Sequence, residues 1–457
     1  MKKLEKNQVI SLKITGLNNE GNGVGHYGDE RFTIFVPNTA PGDSVQVKLV
    51  KVLKSYGYGR LEQIESPSQD RIPSECPVSG PCGGCSLRHI SYEAECRIKN
   101  VWIEDCLKRL AGIQVPLEPF QPSPMENQYR NKAQYPIGLD ETGKIQIGFY
   151  AKRSHRIIDG EGCMLHPPVF SEIAAVVREF LEKSNVPPYN EETGKGFARH
   201  LYLRIGQASG EIMVCLVANK GNFPQAGKFV SVVTSKFPMV SSIVLNVNRK
   251  KGNSILGEEC ITLWGRNTIR DVLAGVEVEL SPQSFYQVNH DAAEILYGIV
   301  KDYAGLSEKE TVLDLYCGAG TIGLSMADRC RKLIGVEIVK EAVENAKENA
   351  QRNGVQNAEF FCADAGTAAA KLAEEGIKAD VIVLDPPRKG CSQNTLEAVT
   401  EIGPEKIVMV SCNPATLARD CRWLEENRYQ VVRVQGVDLF PRTNHVETIV
   451  LLQRENS

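Results

Sequence analysis

Apolar and polar side chains alternate with a period of two over residues 7–63. The alternation occurs in four short runs, VISLKITGL, FTIFVP, DSVQVKLVKVL and YGRLEQI, and turns rich in glycine and asparagine separate them. Short strands at this spacing are typical of a small closed barrel. We therefore predict an OB-like β-barrel over residues 1–65, as the first of three domains.

The barrel segment also contains residues that suit a nucleic-acid surface. They are Lys48, Lys51, Lys54, Tyr56, Tyr58 and Arg60. Barrels of this type bind single strands by stacking bases on aromatic rings and placing cations along the phosphates. A barrel with an ordinary solvated lysine edge explains the same composition equally well, so composition alone leaves RNA binding open.

The apolar spacing becomes helical over residues 91–112, and Gly112 ends the predicted helix. Residues 125–275 then mix strand-like runs with loops, which predicts an α+β domain. We assign residues 66–275 to this central domain. The helix at 91–112 is expected to pack on the C-terminal domain.

From about residue 310 the pattern becomes strand, helix, strand, helix. Five near-continuous apolar runs alternate with helical stretches: TVLDLY (311–316), KLIGVE (332–337), AEFFCAD (358–364), DVIVLD (380–385) and KIVMVS (406–411). Such runs are typical of buried parallel strands. Residues 276–457 are therefore predicted to form an α/β domain, doubly wound and Rossmann-like, with ligands at the carboxyl ends of its strands.

Composition narrows the class of protein. The chain has no run of about 18 uncharged apolar residues, and its basic start is not followed by an apolar segment, so we predict neither a membrane helix nor a signal peptide. We expect a cytoplasmic protein, in which 14 cysteines are not a disulfide framework. Residues 1–285 have 34 Lys and Arg against 30 Asp and Glu, and the remainder has 19 against 26. The more basic N-terminal part, residues 1–285, weakly indicates that the binding partner is an anionic polymer.

A glycine-rich turn follows the first of the five runs. Residues 317–323, CGAGTIG, match G-x-G-x-x-G between a strand and a helix, where glycines let a cofactor approach the backbone. Glu337 ends the next run and is placed to accept hydrogen bonds from ribose hydroxyls. Dinucleotides and S-adenosylmethionine both fit this turn. Asp364, at the end of the third run, is placed either to meet an adenine edge or to cap a helix over 365–376.

The fourth run ends in Asp385-Pro386-Pro387-Arg388. Two prolines after a carboxylate give a stiff, extended turn. Turns of this kind in methyltransferases orient the acceptor base beside the methyl donor. The alternative interpretation is a helix that begins with proline in its first turn.

The fifth run ends in Ser411-Cys412-Asn413-Pro414, which places a thiol at the carboxyl edge of the sheet. A helix beginning near Pro414 is expected to lower the pKa of this thiol through its dipole. A methyltransferase that modifies carbon 5 of uracil has a use for such a thiol, because this carbon is a poor nucleophile. A thiolate that adds to carbon 6 makes carbon 5 nucleophilic, and a base must then remove the carbon 5 proton. Glu447 is the candidate base. The alternatives are a buried strand-end cysteine and a solvated strand-end acid.

These segments resemble one known family. DLYCGAGTIGL, VLDPPRKG, VSCNPATLARD, DLFPRTNHVETIVLL and residues 281–289 are similar to motifs of the RNA uracil-5-methyltransferases, and the barrel resembles a TRAM domain. The resemblance implies Cys412 as nucleophile and Glu447 as base. It also implies S-adenosylmethionine as cofactor, bound by Gln287, Tyr316, Thr321, Glu337, Asp364 and Asp385. Related members carry Asn at the positions of Thr321 and Asp364.

Three cysteines in a Gly- and Pro-rich loop, Cys76, Cys82 and Cys85, suit a metal site. Spacing alone favours zinc and an iron–sulfur cluster about equally. Any of the other eleven cysteines could be the fourth ligand. The alternative interpretation is three unrelated loop cysteines. The resemblance implies a 4Fe–4S cluster with Cys163 as fourth ligand. We expect a structural or RNA-folding role for it.

The resemblance also implies the substrate. The combination of a TRAM domain and a cysteine cluster resembles that of the enzymes that methylate 23S ribosomal RNA. Some of these enzymes methylate two uridines, in domains II and IV. Transfer RNA is the alternative, because related archaeal enzymes have both features and act on it. The glycine-rich turn keeps a nicotinamide or flavin oxidoreductase as a rival, and a non-catalytic RNA-binding protein is another. No protein partner is implied.

Overall fold

The computed structural model describes residues 4–28, 31–152 and 154–455. Alternating apolar residues of five strands close the N-terminal barrel in the order β1-β2-β3-β5-β4, around a small core that includes Ile34 and Val47. The strands are β1 (Val9–Leu17), β2 (Gly23–Tyr27), β3 (Phe32–Val36), β4 (Ser44–Val52) and β5 (Tyr56–Ser66).

Helix α1 (Tyr92–Cys106) lies between the barrel and the C-terminal domain. Its Ser91 cap accepts a hydrogen bond from the Ala94 N–H at 3.2 Å. The predicted helix at 91–112 continues after α1 as a π-helical turn, Leu107–Ala111, and ends at Gly112 with a left-handed φ of 76°. Trp102 Nε1 donates to the Leu17 carbonyl of the barrel at 2.8 Å, whereas Ile103 and Leu107 join the core of the C-terminal domain.

The central domain has a seven-stranded sheet in the order β12-β11-β10-β9-β6-β7-β8, with a phenylalanine-rich core beneath α2 and α3. Its elements are β6 (Lys132–Leu139), β7 (Ile145–Tyr150), β8 (Ile157–Asp159), α2 (Pro168–Lys183), β9 (Ala198–Ile205), β10 (Ile212–Ala218), α3 (Ala226–Lys236), β11 (Val240–Val247) and β12 (Glu259–Gly265). A hairpin of β13 (Ile269–Leu273) and β14 (Val276–Leu280) leads to the last domain.

The C-terminal domain has a sheet in the order β17-β16-β15-β18-β19-β21-β20. The five strands from β15 to β19 are parallel, and β21 lies antiparallel between β19 and β20, which confirms the predicted doubly wound fold. The elements are α4 (His290–Ala304), β15 (Thr311–Leu315), α5 (Thr321–Leu324), β16 (Lys332–Glu337), α6 (Lys340–Arg352), β17 (Ala358–Cys362), α7 (Ala365–Glu374), β18 (Val381–Leu384), α8 (Gln393–Ile402), β19 (Lys406–Ser411), α9 (Pro414–Glu425), β20 (Tyr429–Val437) and β21 (Glu447–Arg454).

A buried ion cluster joins α1 to the loop between β20 and β21. Lys99 is completely buried, and its Nζ donates to Glu95 Oε1 at 2.7 Å, to Asp438 Oδ1 at 2.8 Å and to the Phe440 carbonyl at 3.2 Å. This contact fixes the loop that precedes Glu447 against the front of the chain. Among the described residues, no helix combines the length and apolar character needed to cross a bilayer.

Candidate active site

Three neighbouring strands bring the predicted reactive residues to one edge of the sheet. Ser411, the last residue of β19, pairs with Thr448 of β21, so Cys412 and Glu447 flank the next position of the ladder. Opposed residues on adjacent strands have Cβ atoms about 5 Å apart. Asp385 directly follows β18, the other neighbour of β19. The thiol and two carboxyl groups therefore meet at the carboxyl ends of the parallel strands.

Cys412 is half-buried, and burial together with the carboxyl groups of Glu447 and Asp385 raises the pKa of its thiol to about 11. The net shift is opposite in direction to the lowering expected from the start of α9. The Asn413 side chain already accepts the Ala415 N–H at 3.1 Å, which uses one of the free donors at the start of that helix. Arg388 partly opposes the rise in the pKa of this thiol.

Glu447 is nearly buried at the start of β21. Burial raises the pKa of its carboxyl group well above the usual range, Asp385 raises it further, and Arg388 partly opposes both. The carboxylate of a weakly acidic carboxyl group is a strong base, and this basicity suits removal of a proton from carbon.

Arg388 and His445 complete this group, and the sequence analysis assigned no role to either. Arg388 Nη2 lies 3.4 Å from His445 Nε2. The Asn413 amide donates to the Arg388 carbonyl at 3.1 Å, which fixes the backbone of Arg388 beside Cys412. Burial and neighbouring cations lower the pKa of His445 to about 4, so its imidazole is uncharged at neutral pH.

The glycine-rich turn after β15 has left-handed backbone at Gly318 and Gly320, with φ of 55° and 79°. Tyr316, which directly follows β15, also has positive φ, 71°, an unfavourable conformation for a side chain with a Cβ and one often found at functional sites. Glu337 accepts the Gly318 N–H at 3.1 Å and the Val339 N–H at 2.9 Å. Glu337 therefore stabilises the backbone of the glycine-rich turn through the hydrogen bond from Gly318.

Asp314 is a site residue for which the sequence analysis proposed no role. Its Oδ2 accepts the Gly323 N–H at 3.1 Å, but its buried Oδ1 has no partner. Burial, Asp385 and Glu337 raise the pKa of Asp314 to about 8. Burial alone raises the pKa of Asp385 to about 7. An unpaired buried oxygen among three carboxyl groups is a local arrangement that a positively charged ligand would stabilise.

The other predicted cofactor residues lie around the same turn or on neighbouring segments. The hydroxyl of Tyr316 bonds that of Thr395 at 3.1 Å, and the hydroxyl of Thr321 bonds that of Tyr297 at 2.8 Å. Asp364 accepts the Thr367 N–H at 3.1 Å, so the helix-capping alternative for Asp364 is confirmed, whereas its adenine contact stays a prediction.

Two exposed apolar residues beside predicted cofactor residues were missed. Phe285 is 71% exposed two residues before the half-buried Gln287, and Ile338 is 64% exposed directly after Glu337. Their position beside these residues makes them candidates for contact with the cofactor. Period-two and helical patterns do not reveal them, because a loop residue has no predictable face.

The four cysteines of the predicted cluster line one cavity of about 240 Å³. Burial and the neighbouring thiols raise the pKa of Cys82, Cys85 and Cys163, the last to about 11. The shared cavity brings Cys163 to the loop of Cys76, Cys82 and Cys85 from 78 residues further along the chain than Cys85. In the described ranges, however, no three His, Cys, Asp or Glu side chains are placed to hold a single metal ion.

Comparison with known proteins decides among the functions left open. The model of the tRNA (Uracil-5-)-methyltransferase family matches residues 273–455, and that of the TRAM domain matches residues 3–61. An RNA methyltransferase of Clostridium tetani is 43% identical over 98% of this chain and 97% of its own, and one of Bacillus cereus is 41% identical over 99% and 98%. The chain belongs to the RNA uracil-5-methyltransferase family.

A solved structure agrees with this assignment. The Pyrococcus abyssi tRNA (uracil-54, C5)-methyltransferase in complex with S-adenosyl-L-homocysteine matches with a TM-score of 0.78 at 30% identity, over 97% of this chain and 99% of that one. The protein is thus an S-adenosylmethionine-dependent RNA uracil-5-methyltransferase. An S-adenosylmethionine-dependent enzyme therefore replaces the nicotinamide or flavin oxidoreductase that the glycine-rich turn had left as a rival.

Proposed function

We propose that this methyltransferase acts on uridine in 23S ribosomal RNA, and that Cys412 bonds to carbon 6 of the uracil during the reaction. The observation that carries the mechanism is the strand register that sets Cys412 opposite Glu447 at the carboxyl edge of the sheet. A nucleophile and a base at this separation can act on the two adjacent carbons of one pyrimidine ring.

The Cys412 thiolate donates an electron pair to carbon 6, and the carbon 5–carbon 6 double bond supplies the pair that takes the methyl group. Glu447 then removes the proton from carbon 5. The electrons of that C–H bond restore the double bond, the carbon 6–sulfur bond breaks, and Cys412 leaves as a thiolate. In this sequence of steps, Cys412 forms and breaks a covalent bond and Glu447 gains a proton.

S-adenosylmethionine supplies a methyl group on a positively charged sulfur. The residues near the turn fit it, because Asp314 has a buried oxygen without a partner and Gly318 has open space on the side where a Cβ would be. Gln287, Tyr316, Thr321, Glu337, Asp364 and Asp385 are the residues proposed to hold it. The exposed Ile338 is proposed to cover the adenine, directly after Glu337 at the ribose.

We propose a 4Fe–4S cluster in the four-cysteine cavity. Cys76, Cys82, Cys85 and Cys163 line this one cavity, and four cysteine thiolates are the ligand set that such a cluster takes. The N–H groups of Ser86 and Leu87 donate to the Arg442 carbonyl at 3.0 and 3.1 Å, so a cluster would stabilise the loop before Glu447. This supports a structural role.

The barrel is proposed to bind the RNA. The protein is proposed to act in the cytoplasm. Phe35, Tyr56 and Tyr58 are half-buried, with ring centroids 5.7–5.8 Å apart, and the exposed Lys51 pairs with Tyr58 across β4 and β5. Aromatic rings beside a cation suit unstacked RNA bases. Transfer RNA is the second candidate, because the Pyrococcus abyssi enzyme matches nearly the full length and acts on tRNA.

The test uses RNA containing 5-fluorouridine. Fluorine cannot leave carbon 5 as a proton, so the covalent complex is trapped and survives denaturing electrophoresis. Anaerobically purified enzyme is incubated with labelled cofactor and either 23S fragments or tRNA. We expect an adduct with 23S RNA that disappears with Cys412→Ala and remains with Cys260→Ala, an exposed cysteine outside the site. Trapping of tRNA alone would overturn the substrate, and methylation without any adduct would overturn the mechanism.

A further inference from the structure

The thiol of Cys412 faces two acids and one guanidinium at the edge of the sheet. Glu447 and Asp385 oppose its ionisation, and Arg388 favours it. The mechanism needs a thiolate, and a thiolate between two carboxylates is unfavourable unless a cation lies beside it. Arg388 is the cation that opposes these two acids at the thiol.

Arg388 is positioned by contacts on both its backbone and its side chain. Its carbonyl accepts the Asn413 amide at 3.1 Å and the Thr416 hydroxyl at 3.3 Å, and both donors belong to the segment that follows Cys412. Its guanidinium reaches His445 Nε2 at 3.4 Å. These contacts fix the exposed Arg388 beside the segment that follows Cys412 at the end of β19.

His445 can accept from Arg388 only while Nε2 carries no proton. Its surroundings enforce this state, because it is largely buried and faces the cations Arg388, Lys99 and Arg130. The ring also packs edge-to-face against Phe440, with centroids 5.7 Å apart. An uncharged, fixed imidazole is a better partner for a guanidinium than a protonated one would be.

We propose that Arg388 is a further catalytic residue, which stabilises the Cys412 thiolate as an ion pair before attack, and that neutral His445 is the positioning residue that orients its guanidinium. The proton lost by Cys412 passes to solvent, and Arg388 keeps its charge throughout. When the carbon 6–sulfur bond breaks, the thiolate returns to the same guanidinium. The inference rests on the proposed role of Cys412.

The test measures alkylation of Cys412 by iodoacetamide as a function of pH, by peptide mass spectrometry of the full-length protein without RNA. Arg388→Met should slow alkylation at pH 8 about three- to tenfold, equivalent to a rise of about half to one pKa unit. Lys389→Met removes the neighbouring exposed cation and should leave the profile unchanged. Arg388→Lys should restore part of the rate.

His445→Phe should slow alkylation of Cys412, and His445→Gln, whose carbonyl oxygen can still accept, should restore it. Alkylation of the exposed Cys260 in the same samples controls for folding. Equal Cys412 profiles for Arg388→Met, Lys389→Met and wild type would overturn the inference, as would equal slowing at Cys260. Failure of the 5-fluorouridine adduct with a normal alkylation result would instead overturn the proposed function.

Discussion

Replacing Lys99 with methionine should destabilise the contact between α1 and the C-terminal domain. The ammonium is the only group that touches both the Glu95 and Asp438 carboxylates at 2.7–2.8 Å among the described ion pairs, and all three side chains are completely buried. At an effective dielectric constant near 20, each contact contributes about 6 kcal/mol of Coulomb energy. Desolvation offsets much of this, and removing one member of a buried pair typically costs about 3–5 kcal/mol.

The loss should depend on pH. Burial and Asp438 already raise the pKa of Glu95 to about 7, from an ordinary 4.5, despite Lys99. The folded protein therefore binds a proton that the unfolded chain releases, and stability falls as pH rises through that window. Without Lys99 the pKa of Glu95 rises further and the window extends upward, so Lys99→Met should cost more at pH 8 than at pH 6.

Denaturant unfolding followed by the fluorescence of Trp102, which lies on the same helix, measures the effect. Replacing Trp264 and Trp423 with Phe leaves Trp102 as the one indole reporter. Lys108→Met, an exposed change one turn beyond α1, is the matched control. Adding Glu95→Gln and Asp438→Asn to Lys99→Met should recover much of the stability. A loss below about 1 kcal/mol, or an equal loss at both pH values, would refute the reasoning.

Three further outcomes are expected. Glu447→Gln should transfer the methyl group but accumulate covalent RNA on denaturing gels, because carbon 5 keeps its proton; normal turnover would contradict the role as base. Cys163→Ser should lose iron and acid-labile sulfide in anaerobic metal analysis while Cys260→Ala keeps both, and retention by both variants would exclude Cys163 as ligand. Binding of S-adenosylmethionine should release protons near pH 7, because a cation lowers the raised pKa of Asp314 and Asp385; calorimetry in two buffers of different ionisation enthalpy measures this, and equal heats would contradict it.

The regular part of the fold was readable from sequence because its signals are local. The five apolar runs correspond to β15 to β19 with small differences at their ends, and the alternating runs at 7–63 correspond to the barrel. The Asp364 alternatives could not be separated, since one carboxylate can cap a helix and still face a ligand. The π-helical turn after α1 was not predicted, because its apolar spacing is that of an ordinary helix.

The charges around the site were the least predictable part. A strand end and a following helix indicated a low pKa for Cys412. The opposite shift results from burial first, and then from acids on β21 and after β18, which only the sheet order brings close. Lys99 and Glu95 lie one helical turn apart, a spacing that does not indicate whether the pair is buried or exposed. Their burial depends on Asp438, 339 residues from Lys99, and no local pattern contains that information.

Charge would also account for the role proposed for Glu447, which must be a carboxylate before methyl transfer and a strong base after it. Burial and Asp385 favour its protonated form in the free enzyme. A bound sulfonium cation would favour the carboxylate, by the same attraction that predicts proton release. In the proposed mechanism, transfer of the methyl group would remove this positive charge, and the affinity of Glu447 for a proton would rise again. The proposed base would therefore be strongest at the step that removes the carbon 5 proton. Arg388, which keeps its charge, would be available to stabilise the departing Cys412 thiolate at that same step.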